Sequence, residues 1–162
     1  MDKYKLKPII YILIIIIIIM NVNNLLKALD DKSTDHLLSF TTESIRQMTL
    51  DVLNDLELSK KETTDIYNKL KDYKYIDEMS DLKYGMFLRW IPIEDPENIY
   101  LTKGSLFCEM KIKDEGVFCV CKNFGFPARH FQIAMDKNLI FQKLTEPELV
   151  LLSALSHLSE NN

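Results

Sequence analysis

Residues 106–123 read LFCEMKIK-DEG-VFCVCKN, and the reading of this stretch decides the fold. Two runs with apolar and polar side chains in alternation flank a turn tripeptide. Alternation of period two is the mark of a half-buried strand. Asp114-Glu115-Gly116 ends in a residue that accepts a left-handed backbone at no steric cost, which suits a three-residue hairpin turn. Under that turn Lys113 faces Val117. One face then carries Cys108, Met110, Ile112, Phe118 and Val120, and Cys119 and Cys121 fall on the other.

Working outward, the same logic extends over residues 84–144. Residues 86–91 are β-rich, open after Gly85 and stop at Pro92. Glu94-Asp95-Pro96-Glu97-Asn98 is a loop by composition. Further strands are expected at 130–135 and 139–143, joined by Asp136-Lys137-Asn138 as a second hairpin in which Met135 faces Leu139. Phe131, Ile133, Met135, Leu139 and Phe141 would share its apolar face. Five short antiparallel strands in this space imply a meander or a small SH3-like barrel, the two hairpin faces curling on each other.

Helices flank this segment. Ile45, Met48, Val52, Leu53 and Leu56 recur at three- and four-residue intervals, which predicts a helix over 42–56. Ser59-Lys60-Lys61-Glu62 is a capping box that opens a second helix, with Ile66, Leu70 and Tyr73 as its stripe. A short helix is expected over 23–29. Thr145-Glu146-Pro147-Glu148 is another capping box with proline in the first turn. It starts a closing helix whose apolar face is Leu151, Leu152, Leu155 and Leu158. The fold class is therefore α+β: N-terminal helices, the β segment, then a C-terminal helix. The divisions fall at an apolar segment over 1–20, a helical region over 22–80 and a small barrel-like domain with its closing helix over 84–160.

The N-terminal segment stands apart. Six isoleucines, Ile14 to Ile19, lie in an apolar run from Pro8 to Met20, preceded by Lys3, Lys5 and Lys7. The run suits a single membrane anchor. It also resembles the core of a cleaved signal peptide, although no small-x-small site follows it. The third reading begins the protein at Met20 and makes it soluble. Basic residues before the run favour a cytoplasmic N-terminus. No Asn-x-Ser/Thr sequon occurs and the cysteine count of 3 is odd; both point to a body kept in a reducing compartment.

Composition bounds the function. The 162 residues, with 27% charged and a net charge of −4, describe a globular chain. Residues 85–144 carry eight basic and seven acidic side chains, without the basic excess that phosphate backbones demand. The expected partner is therefore protein, not nucleic acid, with a membrane contact offered through Pro8 to Met20.

No catalytic motif is present. Cys108, Cys119, Cys121 and His130 lack the spacing of a structural zinc site, so no metal or other cofactor is expected. His36 near Asp35, His130 and His157 belong to no triad motif. The candidate binding residues are aromatic: Trp90, Phe124 and Phe126, with Phe87 and Phe107 nearby and Arg129 closing the loop. Phe124-Gly125-Phe126-Pro127 places two aromatics around a glycine in a loop, which implies exposure.

Residues 82–91 (Leu82-Lys83-Tyr84-Gly85 and Leu88-Arg89-Trp90-Ile91) and 139–144 (Leu139-Ile140-Phe141-Gln142-Lys143-Leu144) give the chain a resemblance to uncharacterised proteins of giant nucleocytoplasmic DNA viruses. The resemblance implies a virus factory in host cytoplasm or a virion, and no known activity. The leading expectation is a non-enzymatic interaction or structural protein. The runner-up is a helix-turn-helix DNA-binding regulator reading through Lys60 to Lys74. An enzyme comes third.

Overall fold

The structure, a computed structural model, describes residues 3–30 and 40–160. His36 and Asp35 lie outside the described residues. The chain is α+β and divides into two compact units, Glu43–Leu144 and Met1–Thr42 with Thr145–Asn162.

The first unit holds one antiparallel sheet and two helices. Its helices are α2 (Thr42–Asn54) and α3 (Lys60–Lys69). Its strands are β1 (Tyr73–Ile76), β2 (Phe87–Pro92), β3 (Ser105–Lys113), β4 (Gly116–Lys122), β5 (His130–Ala134) and β6 (Asn138–Lys143). The sheet order is β1-β6-β2-β3-β4-β5. Six strands replace the expected five, and the sheet is open rather than a closed barrel. The added strand is β1, which pairs with β6 from Tyr73↔Lys143 to Ile76↔Ile140.

The sheet is nonetheless strongly curled. The rings of Trp90 on β2 and Phe131 on β5 lie 5.8 Å apart. In a flat sheet, three strand spacings would separate them by roughly 14 Å. Only the short turn Met135–Lys137 joins β5 to β6, although β2, β3 and β4 stand between them in the sheet. The curl encloses an apolar interior of Ile76, Leu88, Trp90, Phe107, Cys119, Cys121, Ile133 and Ile140. On the opposite face, Leu53, Ile66 and Leu70 from the helical segment pack against Ile91 and Phe141.

Two expected registers are corrected. Gly116 enters the ladder opposite Lys113, leaving a two-residue turn, and Ile112 pairs with Val117. A one-residue slip exchanges the faces of a strand. Cys119 and Cys121 therefore point into the interior with Met110, and Ile112 at the hairpin tip is exposed. A bulge between Phe107 and Glu109 resets the parity, so Phe107, three residues from Met110, also faces inward. Met135 and Leu139 form no hairpin pair: β5 pairs with β4 and β6 with β1 and β2.

The segment from Lys60 to Lys74 is not one reading helix. Its helix ends at Lys69. Lys74 is buried in β1 and pairs with Asp81 at 3.2 Å.

In the other unit, α1 runs unbroken over Lys3–Asp30, so the short helix expected over 23–29 is part of a longer one. It packs against α4 (Glu146–Glu160). Thr145 and Glu148 cap α4 reciprocally: the Thr145 N–H donates to Glu148 Oε2 at 2.8 Å, and the Glu148 N–H to Thr145 Oγ1 at 3.3 Å. Leu151 and Leu152 are buried, whereas Leu158 is exposed. The apolar run of α1 from Pro8 to Met20 extends ~20 Å, against a hydrocarbon core of ~30 Å. Asn21, Asn23 and Asn24 interrupt its continuation. Among the described residues no helix is long and apolar enough to cross a membrane, so the expected spanning anchor is not met.

Candidate functional site: the aromatic end of the sheet

The register places Phe87, Leu106, Lys122 and His130 in one row across four strands. On one side of this row lie the approach to β3 at Lys103-Gly104 and the β4–β5 loop, and on the other lies the turn at Tyr84-Gly85, alongside Phe107. All three carry aromatic or basic residues.

The β4–β5 loop is clasped at its neck by Asn123. The Asn123 N–H donates to the Arg129 carbonyl at 3.1 Å, and the Arg129 N–H donates to Asn123 Oδ1 at 2.8 Å. Between these residues the Phe126–Pro127 bond is cis. The clasp turns both phenylalanines outward: Phe126 is fully exposed and Phe124 is 75% exposed. Phe124 is not adrift, because its ring lies 17° from parallel to that of Phe87 at 6.0 Å. Phe87 in turn sits over Gly104, where a Cβ would overlap the Leu88 carbonyl oxygen and crowd the Phe87 ring.

A second exposed ring is built the same way. Tyr84, 69% exposed, stacks within 10° of parallel on Phe107 at 5.4 Å. Phe107 belongs to the interior and is wholly buried. The Gly85 N–H donates to the Phe107 carbonyl at 2.8 Å, which ties the turn to β3.

The sequence-derived candidates separate here. Phe124, Phe126 and Arg129 stand together on the exposed loop. Trp90 is buried in the sheet's interior against Phe131, so it supports the curl and offers no surface contact. Its place on β2, on the interior face with Leu88 and opposite Ile140, outweighs its amphipathic ring. Tyr84, Lys103 and Lys122 went unnoticed in the sequence. Their signal was an absence: residues 83–93, 98–108 and 116–135 contain no acid, but hold Lys83, Arg89, Lys103, Lys122 and Arg129.

The opposite end of the sheet is acidic. Asp114, Glu115, Asp136 and Glu94 gather there, and Lys137 pairs with Glu94 at 2.7 Å, which raises the lysine pKa. Glu94, Glu115, Asp136 and Lys137 border an open depression of about 350 Å³.

His130 lines a second open depression, of about 370 Å³, with Glu109, Lys111, Val120, Phe131 and Gln132. Glu109 pairs with Lys111 at 3.5 Å. His157 is exposed on α4. Cys119 and Cys121 are buried thiols: burial pushes Cys119 up to about 11, and burial with the neighbouring Cys119 and Cys108 thiols pushes Cys121 up to about 12. Such thiols stay protonated at neutral pH and make poor nucleophiles and metal ligands. Among the described residues no group of three His, Cys, Asp or Glu is placed to hold a metal ion.

Comparison with known proteins finds no matching family model, no matching curated protein and no matching solved structure, and nothing links the chain to giant viruses.

Proposed function

We propose that this chain is a non-enzymatic binding module whose contact surface is the β4–β5 loop, centred on Phe124 and Phe126. The observation that carries the reading is the clasped loop: Asn123 fixes its neck while Phe126 is fully exposed. Soluble proteins do not usually leave such apolar area uncovered without a partner. The connectivity of β2 to β6 agrees with this reading. Four strands meander, a 3-10 turn follows, and the fifth strand returns to pair with the first, the strand order of an SH3-like small barrel with β1 added at its edge. Fold alone names no ligand.

The test replaces Phe126 with a photo-crosslinking phenylalanine in the full chain, in cells that make it. A discrete adduct is expected at 126, lost when Phe124→Ala is added, and absent when the crosslinker replaces Ile112, which is also exposed, at the acidic end. No adduct at 126, or the same adduct from 112, ends the proposal.

A second reading concerns α1. Ile10, Ile12 and Ile14 to Ile19 are each about half exposed, so the helix is apolar around its circumference, with Lys3, Lys5 and Lys7 before it. That pattern favours contact with lipid hydrocarbon over a one-sided protein groove. The full chain should float with phosphatidylserine-containing vesicles and a chain starting at Met20 should not; equal behaviour of the two removes this reading.

A further inference from the structure

We infer that the β4–β5 loop seats in the surface of an anionic lipid bilayer, with Phe124 and Phe126 entering the boundary between headgroups and acyl chains and Lys103, Lys122 and Arg129 meeting lipid phosphates. This rests on the binding-module reading and names the partner of that loop.

The first observation is layering. Residues 124–128, Phe-Gly-Phe-Pro-Ala, are all exposed and include no polar side chain. Asn123 closes the neck beneath them. Lys122, Arg129 and His130 stand at that neck, exposed as well. An apolar tip above a cationic collar matches the order of a bilayer surface, phosphates outside and hydrocarbon within. Aromatic rings favour this boundary, and each Lys or Arg near an anionic leaflet adds attraction. The backbone limits the depth. Pro127 has no N–H and the neck bonds occupy the Arg129 N–H, but the other tip amides still need water. The loop therefore stops in the hydrated boundary and does not enter the hydrocarbon core.

The second observation is that these parts share one surface. Leu88, Phe107 and Cys121 belong to the interior, and Phe131 packs against it. Their strand neighbours Phe87, Leu106, Lys122 and His130, which form one row, therefore occupy the outer face. Phe124 lies over Phe87, and the close approach of Gly104 to the Phe87 ring brings the exposed Lys103 to the same place. No acid occurs in residues 98–108 or 116–135. Glu109, further along β3, is paired with Lys111 at 3.5 Å.

The third concerns the kind of partner. A ring as fully exposed as Phe126 asks a protein for a fitted pocket, whereas a bilayer accepts it without one. Helix α1 supports the choice, being apolar around its circumference after Lys3, Lys5 and Lys7, the pattern that favours lipid contact. Two contacts with one ligand on the same chain reinforce each other through local concentration.

The experiment reads the full chain with vesicles at equilibrium, so that contact too weak to survive flotation is still seen. Phe126→Trp places a reporter at the tip, and the parent, whose single tryptophan is Trp90, supplies the background. The vesicles are phosphatidylcholine with phosphatidylserine, carrying bromine on the acyl chains near the carbonyl. The emission added at 126 should shift to the blue and be quenched, and that added by Ile112→Trp should do neither. Lys122→Gln and Arg129→Gln, each combined with Phe126→Trp, should raise the lipid concentration at half-quenching about fivefold, and vesicles of phosphatidylcholine alone should quench little. Circular dichroism of each variant confirms folding. Three outcomes overturn the inference: no quenching at 126; equal quenching at 112; or a midpoint that neither the cation variants nor the loss of phosphatidylserine moves. At the photo-crosslinker on 126, an adduct of one phospholipid mass supports it. A protein adduct there without quenching overturns it and leaves the binding-module reading standing, and neither adduct nor quenching removes both.

Discussion

Gly104 shows how single residues set this surface. Its φ is +92°, and a Cβ would meet the Leu88 carbonyl oxygen, which is backbone and cannot swing aside. Gly104→Ala should therefore cost about 2–4 kcal/mol, from positive-φ strain and overpacking together, read as a lower urea midpoint at unchanged m. Phe126→Ala should stay within about 0.5 kcal/mol, whereas Phe107→Ala, at the centre of the interior, should cost about 3–5 kcal/mol. If Phe126→Ala destabilised as much, the ring would be packed rather than presented. The interior thiols give a pH prediction. Cys119 and Cys121 ionise near 9.0 when unfolded and are pushed to about 11 and about 12 when folded. The folded state favours the neutral thiol, so their contribution is whole below about pH 9 and is lost as pH climbs toward 12. It is on the order of 3 kcal/mol for Cys119 and 4 kcal/mol for Cys121. Thermal melts should fall steeply across this window, and less steeply for Cys121→Ala; parallel slopes would show the thiol to be uninvolved. The sequence could not decide the face of these cysteines, because it hung on a turn of two or three residues. Gly116 was read as the turn's left-handed residue. It takes its positive φ of 135° at the first position of β4 instead, and that single residue exchanged the faces.

At the level of elements, signals carried by local chemistry were legible. Ser59 accepts from the Glu62 N–H at 3.3 Å while Glu62 accepts from the Ser59 N–H at 3.0 Å, and the same reciprocity opens α4. Two residues three positions apart form each box, so the pattern survives without tertiary context. Ser59→Ala should cost about 1 kcal/mol in urea unfolding. Glu62→Gln should cost less, as the amide still accepts; a larger loss from Glu62→Gln would mean that charge, not the hydrogen bond, fixes this turn. Strand β1 was missed for the converse reason. Its four residues, Tyr73-Lys74-Tyr75-Ile76, alternate too briefly to show, and their partner lies some 67 residues away at β6. Lys74 is buried in its strand and paired with Asp81, a partner that no helical or strand period reveals. The expected β5–β6 hairpin failed similarly: its turn falls at Met135–Lys137, one residue before the expected 136–138, and pairing followed the curl of the sheet, which brings β6 beside β2.

Over the whole molecule, what the sequence conceals is spatial sorting. Eight basic and seven acidic residues over 85–144 cancel in a count. Antiparallel strands put alternate connections at opposite ends, so acids in the β3–β4 and β5–β6 turns and cations in the β4–β5 loop separate without any change in total. Charge reversal at Asp114 and Glu115 should thus leave any ligand affinity of the aromatic end nearly unchanged, being screened over more than a Debye length of ~8 Å at physiological salt. The sorting needs only the unit Glu43–Leu144, because the curled interior and the layer under α2 and α3 are both drawn from it. Its last strand is tied back by the Leu144 N–H to the Asp72 carbonyl at 2.8 Å. A fragment of residues 43–144 should therefore unfold in urea as one cooperative transition. Trp90 is the chain's single tryptophan and only 9% exposed, so its emission reports the interior directly. A blue-shifted native signal that moves red in one step is the expected result. A gradual, featureless shift would show that the sheet needs α1 or α4 to hold its curl, and that the aromatic end is not positioned by the unit that carries it.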